Sequence, residues 1–264
     1  MRVRTAFPLL ITLAVAPAHA VGPNNALNDT GITRYGDAVS NVLTSEPAGY
    51  PGQDARFGRD PKASAGVAPK AGFDFTALDA FGNPTTPSSG ANPHPCVRDN
   101  VTELVWEVKT ANGGLRDRNW KYFWFDSNSA TNGGNPGTES NGLTDPMLPS
   151  PPFPPNTPIC PSPGNCDTEK YVVQVNAAAS ALCGFRDWRT PTIKELESIV
   201  DFSRVSSTTI DPTYFPNTVD IGYYSGSAYA PDQDSAWFID YFYGFASTGL
   251  KNKPTQVRLV RGGP

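Results

Sequence analysis

Three carboxylates, Glu195, Glu197 and Asp201, fall within seven residues of one another. Hydrolysis by general acid and base needs two carboxyl groups whose pKa values are pushed apart in one cleft, and this cluster is where the sequence would supply them. Glu195, however, stands three residues after Thr192, the spacing of a helix capping box. That role and a solvated helix face account for the cluster better than catalysis does. His94, wedged between Pro93 and Pro95, is the sole histidine besides His19. Mechanisms that need several histidines are therefore excluded.

Four cysteines, Cys96, Cys160, Cys166 and Cys183, offer either thiolate ligands or cross-links. An even count in an exported chain favours disulfides, so no metal and no cofactor is expected. Asp167 to Leu182 reads as a helix, whose ends would lie about 20 Å apart, too far for a Cys166–Cys183 bond. Cys160–Cys166 with Cys96–Cys183 is the preferred pairing; Cys96–Cys166 with Cys160–Cys183 is the alternative.

Asp187-Trp188-Arg189 combines a stacking face with a planar cationic fork and so resembles a ligand clamp. Between two helices, the same residues serve better as a junction: a buried Trp with Asp and Arg held by hydrogen bonds. Trp106 and Arg258 are likewise expected to be structural. Arg258 and Arg261, with Lys251 and Lys253, read mainly as surface charge. Lys109, Arg116, Arg118 and Lys121 lie near Trp120 and Trp124, a mixture that suits either a sheet or an anionic ligand. The richest binding surface is the stretch from Tyr223 to Phe245. It carries Tyr223, Tyr224, Tyr229, Trp237, Tyr241 and Tyr243 among small polar residues, a composition like that of antibody paratopes. About half of these rings should face the core, because strand neighbours alternate between faces.

The elements that must position these residues begin after a targeting segment. Arg2 and Arg4 precede an apolar run from Ala6 to Ala16 and the small-x-small phrase Ala18-His19-Ala20, so residues 1–20 read as a signal peptide cleaved near Ala20. The run is shorter than the roughly 20 apolar residues of a spanning helix, and no integral membrane segment is expected after cleavage. A periplasmic or secreted location follows. Loss of Arg2 and Arg4 turns 21 basic against 25 acidic residues into 19 against 25, a formal charge of −6. Nucleic acid is thereby an improbable partner.

Residues 21–95 are rich in Gly, Pro, Asn and Asp and read as an extended segment, with one strand near Ala71 to Leu78 packing on the main body. From Cys96 onward, Leu104 to Val108 and Lys121 to Phe125 have the β-branched and aromatic composition of strands. Nine of the 27 prolines lie between Pro146 and Pro163, marking residues 126–166 as a surface loop. A helix capped by Asp167 or Thr168 and ended by Gly184 follows, then a second from Thr192 through Val200. Tyr223-Tyr224, Ala236 to Tyr241 and Gln256 to Val260 read as strands of an antiparallel sheet. Residues 96–264 are thus expected to form one α+β domain with two helices and a small antiparallel sheet.

Cys96-Val97-Arg98-Asp99-Asn100-Val101-Thr102, Cys183-Gly184-Phe185-Arg186-Asp187-Trp188-Arg189, Ile210-Asp211-Pro212-Thr213-Tyr214-Phe215-Pro216 and Val257-Arg258-Leu259-Val260-Arg261-Gly262-Gly263 occur in that order. Together they resemble the Lcl C-terminal domain family, also called DUF1566. The resemblance implies a C-type-lectin-like domain, related to the formylglycine-generating-enzyme fold, in which the strand near Leu104 to Val108 lies beside the final strand at Gln256 to Val260. Glu103 departs from the family pattern, which often has Gly there; Thr190 replaces Leu, and Tyr224 replaces Trp. Oxidase chemistry of the related enzymes resembles a process using cysteines late in the domain, and none follows Cys183. The calcium-binding phrases of C-type lectins are also missing. The family's collagen-like adhesin binds sulfated glycosaminoglycans, a ligand not carried over to an acidic chain without Gly-x-y repeats.

The expected function is therefore an exported, non-catalytic recognition or adhesion module for a glycan, a surface polymer or a surface protein. An envelope hydrolase or oxidase, and a structural component of a surface appendage, are the alternatives.

Overall fold

A computed structural model describes residues 28–57, 72–140, 159–162, 164–204 and 208–262. The signal-peptide residues and most of the Pro-rich stretch lie outside the described residues. The described chain is α+β, with two α-helices and two four-stranded sheets. None of its helices is long and apolar enough to cross a membrane.

The first sheet has the order β1-β2-β3-β8, with β1 at Phe75–Leu78, β2 at Cys96–Asp99, β3 at Val105–Glu107 and β8 at Val260–Arg261, every neighbour antiparallel. The strand expected near Ala71 to Leu78 is thus an integral edge of the sheet. Trp106 pairs with Val260, so the strand around Leu104 to Val108 lies beside the chain end as the family resemblance implies. Arg189 extends the sheet by exchanging two 2.9 Å backbone hydrogen bonds with Val260.

The second sheet runs β6-β5-β4-β7, with β4 at Gly222–Ala228, β5 at Ser235–Asp240, β6 at Phe245–Leu250 and β7 at Gln256–Val257. β7 is parallel to β4, and the other pairs are antiparallel. The single strand expected from Gln256 to Val260 is therefore split: its first half joins this sheet, its second half the other. Arg258 and Leu259 bridge the two, which ties the sheets together covalently. Lys121 to Phe125 is not a regular strand. It makes isolated bridges from Tyr122 to Thr255, Phe123 to Asp167 and Phe125 to Gly137, because its residues serve three different neighbours.

Helix α1 covers Thr168–Ala177, and the Asp167 side chain accepts a hydrogen bond from the Lys170 N–H at its start. It ends earlier than the sequence suggests. The Arg186 guanidinium takes the carbonyls of Asn176, Ala178 and Ala179, satisfying the terminal oxygens that another turn would have used. Gly184 is left-handed, with φ +79°, but it shapes a later turn instead of ending the helix. Helix α2 spans only Ile193–Glu197 and carries the reciprocal Thr192–Glu195 capping box.

Apolar side chains form two clusters. One gathers Trp124, Trp188, Tyr171, Tyr224 and both disulfides; the other gathers Trp106, Phe75, Phe215, Tyr223 and Tyr241 with Leu196 and Ile199. Adjacent residues such as Tyr223 and Tyr224 belong to different clusters, so both faces of the second sheet are covered. The bonds Cys96–Cys183 and Cys160–Cys166 are formed, matching the preferred pairing.

Candidate functional site

The six aromatic residues proposed from sequence as one binding surface separate into three groups. Tyr223, Tyr224 and Tyr241 are buried, and they cannot present a ring to a ligand. Their phenols are spoken for: Tyr224 Oη donates to the carbonyls of Leu250 and Lys253, and the Val219 N–H donates to Tyr223 Oη. Double-sided coverage of the sheet explains the burial of neighbouring tyrosines. Tyr229 and Trp237 are half-buried and meet edge to face at 5.1 Å, beside the turn that joins β4 to β5. Tyr243 lies in the turn joining β5 to β6, at the other end of a strand about 17 Å long. The structure thus does not assemble the six into one face.

What the β5–β6 turn does assemble is a ring cluster of Phe242, Tyr243 and Phe245. Tyr243 is 65% exposed and its two neighbours are each 49% exposed. Phe242 and Tyr243 meet edge to face at 4.6 Å, and Tyr243 stacks on Phe245 at 5.6 Å. The turn is tightly held. Asp240 Oδ1 accepts from the Phe242 N–H at 2.8 Å, the Gly244 N–H bonds the Asp240 carbonyl at 2.7 Å, and Gly244 adopts φ +76°. A β-carbon at Gly244 would meet Val200 at 3.1 Å, so the turn rests on the residues following α2. Thr209 bonds the Tyr241 carbonyl through both its N–H and its hydroxyl. Phe242 and Phe245 were missed by the sequence reading. The signal was Asp240 and Gly244 framing Phe242 and Tyr243, with Phe245 next in the chain at the start of β6, since a turn frees side chains from strand alternation.

The acidic cluster is structurally committed. Glu195 caps α2 and pairs with Arg189; Glu197 bonds Lys194 at 2.7 Å; buried Asp201 accepts from the Ser203 N–H and hydroxyl. Among the described residues, no group of three His, Cys, Asp or Glu side chains is placed to hold a metal. His94 is buried, its ring nitrogens set against Ser88 and the Tyr214 carbonyl, and burial pushes its pKa below the ordinary histidine value.

Asp187-Trp188-Arg189 is a junction. Trp188 is buried and donates to the Leu182 carbonyl, while Asn176 brackets its backbone on both sides. Asp187 pairs with Arg261, whose guanidinium lies 4.0 Å over the Phe185 ring. Arg189 Nη2 also reaches the Gly262 carbonyl at 2.9 Å, so this segment clamps the chain end.

Lys251 and Arg258, read mainly as surface charge, are instead interior, and so is Lys109. Lys251 is buried, donates to the carbonyls of Asn132, Asn135 and Gln233, and sits 4.3 Å over the Trp124 ring. Arg258 is fully buried between the Phe215 and Tyr223 rings, bonding the Glu107 carbonyl and Thr218. Trp106 is also fully buried, as its structural role requires. Lys109 bonds Glu107 at 3.1 Å and Tyr171 at 2.9 Å, and Tyr171 donates to the same carboxylate. Burial works against the Glu107 charge, but Lys109 and Arg116 hold its pKa below the ordinary value. Glu107, Lys109, Tyr171 and Arg258 are all 0% exposed, so no substrate reaches them. They brace β3 against α1 and the final segment.

No curated protein matches the chain, and no solved structure does. The model of the Lcl C-terminal domain matches residues 95–261, a span that takes in β2 through β8, both disulfides and the exposed ring cluster. With well over half its length covered by that match, the chain belongs to the Lcl C-terminal domain family.

Proposed function

We propose that the chain is an exported, non-catalytic recognition module of C-type-lectin-like type that grips a glycan, a surface polymer or a surface protein. The observation that carries this reading is the Phe242, Tyr243 and Phe245 cluster, three contiguous exposed rings on a turn pinned to the body. Aromatic rings offer large contact area at low entropic cost, and on a rigid support little of that gain is lost to ordering. Structural partners for Glu195, Glu197 and Asp201 speak against a hydrolytic pair. Two disulfides fit an oxidising compartment, as do the basic, apolar and small-residue phrases at the start of the chain.

The test is a glycan and matrix-protein array probed with wild-type protein, Tyr243→Ala and Trp237→Ala. The expected result is binding to a restricted ligand set, reduced about tenfold by Tyr243→Ala and retained by Trp237→Ala in the middle of β5, outside the ring cluster. Equal signals from wild type and Tyr243→Ala on every ligand would remove the ring cluster from the account.

A further inference from the structure

A recess of about 300 Å³ lies away from the ring cluster, between the segment that follows α1 and the loop around Arg116. Its walls are largely apolar: Leu115, Val175, Ala181 and Leu182, with Cys183 of the long disulfide at one side. The wall is preformed. Arg186 fixes the carbonyls of Asn176, Ala178 and Ala179, and the Cys96–Cys183 bond anchors the segment's end to β2. Apolar walls with a few placed polar groups are the usual makeup of small-molecule sites, and this volume sits at the lower end of their range.

Arg116 supplies the charge. Both of its hydrogen bonds to described residues leave from Nη1, at 3.3 Å to the Pro95 carbonyl and 2.8 Å to the Val108 carbonyl, so Nε and Nη2 remain for a ligand. Of the other polar side chains of the lining, the Thr110 hydroxyl donates to Asn112, whose amide donates to Asn92 outside the recess, and Ser180 adds a hydroxyl. Behind the recess the Glu107 carboxylate faces Lys109 and Arg116, while Arg258 bonds the Glu107 backbone carbonyl. The neighbouring Asp117 accepts from the backbone N–H groups of Gly113 and Asn119. Arg116 is thus the charged side chain of an otherwise uncharged lining.

We propose that this recess binds a small apolar carboxylate, its anionic head on the Arg116 guanidinium and its hydrocarbon part against Val175, Ala181 and Leu182. At about 30 Å³ per water-sized atom, the volume suits about ten heavy atoms, the size of octanoate.

Isothermal titration of the full oxidised chain with octanoate, octanol and octylamine tests this. Octanoate binds one to one, octanol binds at least about tenfold more weakly for want of the charge-assisted hydrogen bonds, and octylamine gives no saturable heat. Ala181→Phe fills the cavity without touching the guanidinium and abolishes octanoate binding; Arg116→Gln lowers it to the octanol level. Arg116 braces two carbonyls, so if Arg116→Gln fails to fold, Ala181→Phe and the octanol comparison decide. Tyr243→Ala leaves octanoate binding unchanged, which separates this site from the ring cluster. Absence of saturable octanoate binding up to about 10 mM, equal affinity for octanoate and octanol, or unchanged binding in Ala181→Phe would each overturn the proposal.

Discussion

Arg189 grips Glu195 with both terminal nitrogens, Nη1 to Oε2 at 2.8 Å and Nη2 to Oε1 at 2.5 Å. The same carboxylate accepts the Thr192 N–H at 2.7 Å, so one side chain both caps α2 and ties it to the segment that holds the chain end. Burial disfavours the charge here, but the Arg189 hydrogen bonds and the Thr192 backbone outweigh it and hold the pKa below the ordinary 4.5. A folded-state pKa lowered in this way stabilises the fold above about 4.5, and that contribution is lost as pH falls through the folded value. Glu195→Gln is expected to cost about 1–2 kcal/mol at neutral pH. Urea unfolding measured at neutral pH and again well below pH 4.5 should show the gap between wild type and variant closing in acid.

The disulfides differ in what they constrain. Cys96–Cys183 closes a separation of 87 residues, and Cys160–Cys166 closes one of 6. Loop-closure entropy assigns them about 4.6 and about 2.2 kcal/mol respectively. Cys96→Ala/Cys183→Ala is expected to lower the urea midpoint about twice as far as Cys160→Ala/Cys166→Ala. Equal shifts would mean that native contacts, and not chain entropy, set the difference.

Glu103 occupies the left-handed region, with φ 62°, in the turn between β2 and β3. Left-handed backbone costs a side-chain-bearing residue about 1–2 kcal/mol, while glycine forfeits about 0.5–1 kcal/mol of unfolded-state entropy. Glu103→Gly is therefore expected to stabilise the protein by about 0.5–1 kcal/mol, read as a raised melting temperature. Of the three departures from the family pattern, Glu103, Thr190 and Tyr224, Glu103 is the one whose conformation favours glycine.

Lys109 has no water to return to, because it and Glu107 are both fully buried. Lys109→Met strands the Glu107 carboxylate and is expected to cost about 3–5 kcal/mol. Glu107→Gln/Lys109→Met should recover part of that loss, since neither charge then remains unpaired. Chemical denaturation of the two variants measures the difference.

Local signals carried the fold a long way. The Asp167 cap and the Thr192–Glu195 box marked both helix starts, and the spacing of the cysteines limited their pairing. The end of α1 was not legible, because Ala178 to Leu182 has helical composition and only Arg186, arriving from beyond the turn, stops the helix. β6 was missed since Ala246-Ser247-Thr248-Gly249 carries no apolar alternation; its pairing with β5 supplies the strand. The interior cations were equally hidden. Lys251 is buried on carbonyls from residues up to 119 positions away, a partnership no local pattern encodes. For the site, counting tyrosines overestimated the surface, because both faces of the second sheet are covered and only the turn at its end frees its rings.

The central claim is that the chain holds its ligand without transforming it. The direct measurement is mass spectrometry of peptidoglycan fragments and array-positive ligands after prolonged incubation with wild-type protein and with Glu195→Gln. The account predicts that every compound is recovered at its starting mass from both. A new product formed by wild type and not by Glu195→Gln would contradict it.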